Sequence, residues 1–129
     1  MVERTQSKGL DEFEGIVESV DFESGIDDRS QYHIKIKPTN VVVKGPTGQI
    51  HEWVPMSPKA TDESVPQGSV MDRYLGQLEI ALTGVDRAKT VTEALAMMVG
   101  KKFRFKKLKL GKDYEGHAAK GYITPVAKL

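Results

Sequence analysis

The chain contains no cysteine, which excludes disulfide bonds, thiolate metal sites and thiol nucleophiles. No apolar run approaches the ~20 residues that a membrane-spanning helix requires. Residues 1–15 are polar and acidic and lack the apolar segment of a secretory signal. These absences predict a soluble, cytoplasmic protein that is held together by packing and hydrogen bonds and has no membrane partner.

Motifs of enzyme chemistry are also missing. His33, His51 and His117 have neither HxH nor HExxH spacing, and the chain has no P-loop and no GxGxxG sequence. No serine lies in a nucleophile elbow. The sequence therefore predicts a protein that is not an enzyme and that has no cofactor, no catalytic residues and no metal site.

Length and composition indicate one domain. The 129 residues are 39% hydrophobic and 29% charged, which is typical of a globular protein with one core. Residues 1–10 hold little that can be buried, so they are expected to form a mobile tail before a single domain over residues 11–129.

Charge is unevenly distributed along the chain, although the net charge is only +1. Residues 1–64 carry seven Lys and Arg against twelve Asp and Glu, whereas residues 65–129 carry twelve against six. This asymmetry favours a localised basic surface. It equally permits head-to-tail association of copies through opposite charges.

The first half of the chain has the alternation of β-strands. Residues 13–23 predict a first strand with Ile16, Val20 and Phe22 on its inner side and a bulge or sharp bend at Gly15. A second strand is predicted where inward residues alternate with outward ones, namely Tyr32, Ile34 and Ile36 with His33, Lys35 and Lys37.

A hairpin is expected around the turn-forming residues 45–48. In the expected register Val43 faces Ile50 and Val41 faces Glu52 on the inner side, and Val54 continues that side. The outer pairs are Val42 with His51 and Asn40 with Trp53. This register requires a bulge near Pro38 and Thr39, and it separates His51 from His33.

Two helical segments follow a proline-bearing connection. Residues 69–82 carry one apolar stripe, with Ser69 and Asp72 spaced for mutual capping and Gly84 as terminator. Thr90 and Glu93 form a second capping pair, which predicts a helical segment through residue 99.

The most informative stretch is residues 100–112, GKKFRFKKLKLGK, where seven cations lie among four apolar residues. The alternation predicts a strand with one side in the core and the other offered to an anion, of which nucleic acid is the largest in a cell. A solvated lysine-rich edge has the same pattern. Core positions change from Phe103 and Phe105 to Leu108 and Leu110, so a bulge is expected at residues 106 or 107. A last strand contains Tyr122, Ile123 and Val126.

In the order of these elements, residues 12–127 resemble the OB-fold single-stranded nucleic-acid-binding proteins. The resemblance implies a mainly β protein with a helical insertion: a five-stranded OB-like barrel with the helix between strands 3 and 4. Another small barrel or an α+β sheet would also accommodate the same order.

The resemblance implies a ligand on the outer side of strands 2 and 3 and on the loop between strands 4 and 5, where cations follow phosphates and aromatic rings stack on bases. The basic and aromatic candidates are His33, Lys35, Lys37, Trp53, Lys102, Arg104, Lys106, Lys107, Lys109, Lys112 and Tyr114. A packed tryptophan and solvated lysines are the alternative interpretation of the same residues.

The function expected from this pattern is largely sequence-independent binding of single-stranded DNA, or RNA, in replication, recombination or repair. The alternative is a viral or cellular structural or assembly protein, which would form a homo-oligomer through its complementary acidic and basic surfaces.

Overall fold

Three strands, two helices and two further strands follow one another along the chain. A computed structural model describes residues 11–24, 30–43, 45, 48–82, 90–111 and 120–129. The expected mobile tail, residues 1–10, and the expected helix terminator Gly84 lie outside the described residues. The elements are β1 (Glu12–Ser24), β2 (Ser30–Pro38), β3 (Ile50–Met56), α1 (Val70–Ala81), α2 (Val91–Ala96), β4 (Lys102–Lys109) and β5 (Gly121–Lys128).

All five strands belong to one antiparallel sheet in the order β3-β2-β1-β4-β5. The mainly β architecture with a helix between strands 3 and 4 is therefore confirmed. The sheet is not closed into a barrel, because no ladder joins its edge strands β3 and β5 in the part of the chain that the structure describes. Helix α1 packs against both of these edge strands.

The core lies on one side of the sheet. Alternate residues of β2 and β3 are buried, with Ile34, Ile36 and Val54 completely inaccessible. Phe13 of β1 stacks on Phe105 of β4 with ring centroids 5.3 Å apart. The helices add their apolar stripes to this core, through Met71, Tyr74, Leu78, Leu82, Val91, Ala94, Leu95 and Met98.

Both helices begin where the capping pairs predict. The Ser69 side chain accepts a hydrogen bond from the Asp72 amide (3.2 Å), and the Thr90 hydroxyl accepts one from the Glu93 amide (3.0 Å). The second helix ends at Ala96, earlier than expected, and turns lead from there to Gly100.

The predicted inner side of β1 is wrong at Ile16 and at Phe22, which are 36% and 55% exposed. Val17 is the buried residue instead of Ile16. The register shifts between Val17 and Ser19, not at Gly15, and this shift brings Val20 against the core. Gly15 has another role, because a Cβ there would lie 2.7 Å from Ile36 Cγ2 and 2.8 Å from the Lys37 carbonyl oxygen. Glycine permits β1 and β2 to approach this closely.

The predicted hairpin register is also wrong. Residues 40–43 form no strand, and β3 pairs with β2, so that His33 faces Trp53 and Ile34 faces Glu52. Because β3 pairs directly with β2, Ile34 is buried together with the inner residues of β3, and no bulge near Pro38 is needed. The inward positions predicted in β3, Ile50, Glu52 and Val54, are confirmed.

Phe103 and Phe105 of β4 and Leu110 just after it are buried, as expected, whereas Leu108 is only partly buried. Lys106 and Lys107 are both exposed. The register shift against β5 nevertheless lies between Arg104 and Phe105, ahead of the expected bulge. The extra residue belongs to β5, because Arg104 pairs with Ala127 and Phe105 with Pro125.

Two side chains connect distant parts of the fold. The Glu52 carboxylate of β3 accepts hydrogen bonds from the Trp53 amide (3.0 Å) and from the Ile123 amide of β5 (2.9 Å). The Asp62 carboxylate accepts from the Thr92 amide and hydroxyl, both at 2.9 Å, and from the Tyr32 hydroxyl at 3.2 Å. Burial raises the pKa of Asp62, but these hydrogen bonds outweigh burial and lower it overall.

Gly15→Ala should destabilise the fold by about 1–3 kcal/mol, since its methyl group overlaps the neighbouring strand. The matched control is Gly76→Ala in α1, where a Cβ meets nothing within 4 Å. There alanine should stabilise by about 0.5–1 kcal/mol. Urea unfolding of the two variants measures both changes, and a neutral Gly15→Ala would contradict the close approach of β1 and β2.

Tyr74→Phe should leave the free energy of unfolding unchanged or increase it. The Tyr74 hydroxyl is buried without a hydrogen-bond partner among the described residues, and an unpaired buried hydroxyl costs about 1–3 kcal/mol. Burial, together with the neighbouring Glu52 carboxylate, raises the pKa of Tyr74. Urea unfolding tests this expectation, and a clear loss of stability in Tyr74→Phe would show that the hydroxyl is hydrogen-bonded.

Candidate functional site

Five polar or aromatic side chains of β2 and β3 lie on the outer side of these strands. His33, Lys35 and Lys37 alternate with the buried residues of β2, and His51 and Trp53 do so on β3. Antiparallel pairing places His33 opposite Trp53 and Lys35 opposite His51. Four predicted site residues are therefore neighbours on one surface, and Trp53 is on the outer side, as expected.

Three rings form a stack on this surface, here called the imidazole–indole stack: His33, His51 and Trp53. The His33 and Trp53 rings are parallel within 17°, with centroids 4.4 Å apart. The His51 and Trp53 centroids are 5.8 Å apart at 16°. Trp53 remains 39% exposed, so it combines a fixed ring orientation with access to solvent.

Hydrogen bonds fix the orientation of the imidazoles. His33 Nδ1 lies 3.0 Å from Glu23 Oε2 at the end of β1, and His33 Nε2 lies 2.8 Å from His51 Nδ1. A carboxylate only accepts, so the Nδ1 of His33 carries the proton and donates to Glu23. The Gln31 amide also donates to Glu23, at 3.1 Å.

The protonation equilibria of this surface are shifted. Desolvation lowers the pKa of His51, and the nearby charges of His33 and Lys35 lower it further. The pKa of Glu23 is lowered chiefly by the hydrogen bond from Gln31, against a smaller effect of desolvation, with help from His33 and Trp53. The neutral form of His51 and the ionised form of Glu23 are thus favoured together.

The structure brings His51 and His33 together, contrary to the predicted hairpin register, and it adds His51 and Glu23 to the predicted site residues. The error came from the hairpin register, since Val41, Val42 and Val43 have high β-propensity but do not pair. Residues 51 and 53 are two positions apart on one strand, so their side chains point to the same side of the sheet. The outward position expected for Trp53 was therefore the signal that His51 belongs to the same surface.

The cations of β4 lie beside carboxylates of β1. Lys102 Nζ and the Arg104 guanidinium are 3.9 Å and 3.8 Å from the two oxygens of Glu14. Lys106 pairs across the strands with Glu12. The acidic amino-terminal and basic carboxy-terminal parts of the chain therefore meet within one molecule.

The predicted basic residues consequently form two groups. Lys106 pairs with Glu12 of β1, and His33 pairs with Asp21, which is nine residues further along the same strand. Lys106 and His33 are therefore separated by about 30 Å along β1. Between these groups, Lys37 and Lys102 flank Ile16 in one cross-strand row. Lys35, Lys37 and Lys102 thus continue from the imidazole–indole stack, whereas Arg104, Lys106, Lys107 and Lys109 follow β4 away from it.

Two positions of the predicted site cannot be placed, since Lys112 and Tyr114 lie outside the described residues. Lys107 covers the β5 strand, because a Cβ at Gly121 would lie 2.8 Å from Lys107 Cγ. Lys109 pairs with Gly121 at the end of the ladder. Both lysines therefore lie near Gly121, at the start of β5.

A separate pocket of about 330 Å³ lies at the end of the sheet where Phe22 of β1 and Ser30 of β2 are found. It is lined by Phe22, Tyr32, Met56, Asp62 and Thr92, among others. The Phe22 and Tyr32 rings pack edge to face, with their centroids 5.2 Å apart. Asp62 accepts hydrogen bonds from Tyr32 and Thr92, so these polar residues are explained by their role in holding the fold together.

Within the described ranges, no group of three or more His, Asp or Glu side chains is arranged to hold a metal ion. Neither described helix has the length and apolar character needed to cross a bilayer. In comparisons with known proteins, the chain matches no family model, no curated protein and no solved structure.

The His51 imidazole should titrate below the ordinary histidine value of about 6.5. Because the folded pKa lies below the unfolded one, the unfolded state binds more protons as pH falls through that interval, and stability should decrease there. The NMR shift of His51 Cε1–H against pH measures the pKa. Lys35→Gln should raise it, and an unchanged value would contradict the influence of Lys35.

Proposed function

We propose that the chain binds single-stranded DNA, without enzymatic activity and largely without sequence preference, on the outer side of β2 and β3. The observation that carries the proposal is the imidazole–indole stack, which presents a partly exposed Trp53 on the same outer side as Lys35 and Lys37 of β2. Single strands are held by this combination of stacking rings and phosphate-binding cations. The processes that need such a protein are replication, recombination and repair.

Trp53 is suited to stacking because His33 holds its ring from one side at 4.4 Å. A ring that is already oriented loses little conformational freedom when a base stacks on it. Base stacking on an aromatic side chain is worth about 1–3 kcal/mol and does not depend strongly on base identity. The stack therefore supports binding without sequence readout.

Phosphates are expected to follow Lys35, Lys37 and Lys102, the row that leads from the stack across β2 and β1 to β4. Lys102 shares the Glu14 carboxylate with Arg104, and Lys106 is paired with Glu12, so the β4 cations contribute less to this path than Lys35 and Lys37 do. Surface ion pairs cost little to break, so these cations remain available as a secondary site.

An OB-like, partly open barrel is the fold that we propose for this arrangement. Its support is the central position of β1 between β2 and β4, and the hydrogen bond that Glu52 of β3 accepts from Ile123 of β5. Helix α1, between strands 3 and 4, packs on the same two edge strands. Proteins of this fold use the side formed by strands 2 and 3 for oligonucleotides.

Oligo-dT should quench Trp53 fluorescence, with an affinity that falls by about 0.7 log unit per log unit of salt for each phosphate engaged. Trp53→Ala should weaken binding by about 1–3 kcal/mol, measured by anisotropy of a labelled oligonucleotide. Lack of binding to oligo-dT at low salt would refute the proposal. Stronger binding of oligo-U would assign the site to RNA.

Two double variants of equal charge change locate the phosphate path. Lys35→Gln with Lys37→Gln should reduce the salt slope by about 1.4, which corresponds to two phosphates. Lys106→Gln with Lys109→Gln, both on β4, is the matched control and should change the slope less. The opposite ranking would place the DNA along β4. A salt-sensitive oligomer that ignores both oligonucleotides, seen by light scattering, would support the assembly function instead.

A further inference from the structure

We propose that His33 and His51 form a site for a divalent transition-metal ion of the copper type, bound by His33 Nε2 and His51 Nδ1. The proposal rests on the geometry of these two side chains and is independent of nucleic-acid binding. It concerns a site of two protein ligands, with the other coordination positions filled by water.

The two nitrogens that face each other are close enough to share one ion. His33 Nε2 and His51 Nδ1 are 2.8 Å apart, which is the length of the hydrogen bond between the two rings. Metal–imidazole bonds are about 2.0 Å long, so an ion that replaces the shared proton reaches both nitrogens once the rings have rotated toward it. Imidazole suits several transition metals, and among the divalent first-row ions Cu²⁺ binds such nitrogen ligands most strongly.

The protonation pattern also suits a metal. Glu23 accepts the Nδ1 proton of His33, so Nε2 is the nitrogen that faces His51. A carboxylate on the far nitrogen of a ligating imidazole fixes its tautomer and increases its basicity. His51 then binds through Nδ1 after its proton moves to Nε2 by exchange with water. The rings need only rotate so that both lone pairs point to the ion.

The charges around His33 and His51 determine how strongly these two side chains bind a cation. Lys35, which faces His51 across the strands, opposes a cation, while Glu23 attracts it. Asp21 pairs with His33 on the β1 side, is exposed and adds negative charge. The His33 side chain is 13% exposed, so it is not sealed from water.

Copper binding has a built-in reporter in Trp53, the single tryptophan of the chain, whose ring stacks on His33. Titration with CuCl₂ at pH 7.5 should quench its fluorescence with one ion per chain. Zn²⁺ should compete only weakly. Electron paramagnetic resonance of the wild-type protein with one equivalent of Cu²⁺ should show coupling to two imidazole nitrogens.

Variants separate this site from other copper ligands. His33→Ala and His51→Ala should each weaken the quenching at least tenfold, and Glu23→Gln should weaken it about 10–100-fold through the loss of its effect on His33. His117→Ala removes the third histidine and should bind like the wild type. Circular dichroism checks that each variant folds.

Three results would overturn the proposal: unchanged quenching in His51→Ala, tighter binding of Zn²⁺ than of Cu²⁺, or a wild-type resonance spectrum without two imidazole nitrogens. The spectrum of the wild-type protein decides the question even where a variant does not fold. A positive copper result together with no oligonucleotide binding would retain this site and reject the proposed function.

Discussion

The register between β2 and β3 determines both the core and the candidate site. Because side chains alternate along strands, one pairing puts Ile34, Ile36 and Val54 inside and leaves the imidazole–indole stack outside. A shift by one residue would exchange these two sets. Burial of the isoleucines and Val54 therefore stabilises, at the same time, the surface on which two histidines and the tryptophan meet.

Strand β1 organises the charges of the molecule. It carries Glu12, Glu14 and Glu18 outward and pairs on one side with the basic β4. The opposite charges of the two halves of the sequence thus lie beside each other on the outer side of the sheet. Cations that are not opposite a glutamate, such as Lys35 and Lys37, are left to define the basic part of the outer surface.

Local signals in the sequence were sufficient for the helices and for the presence of the strands. Ser69 and Thr90 cap the helices as their spacing predicts, and Trp53 lies outside because its parity is opposite to that of Val54. The pairing of the strands was harder to predict, because Val41 to Val43 have strand propensity but the turn residues that follow them do not fix the register of a hairpin. The proximity of His33 and His51 depends on that pairing, so it required the structure.

The Glu52 carboxylate links the two edge strands through one side chain, since its oxygens accept hydrogen bonds from the Ile123 amide of β5 and from the Trp53 amide. Glu52 is almost fully buried, so removal of this carboxylate would deprive both amides of that partner in the interior. The residue that bridges the open edges of the sheet therefore also holds the backbone of the residue whose indole lies on the opposite surface.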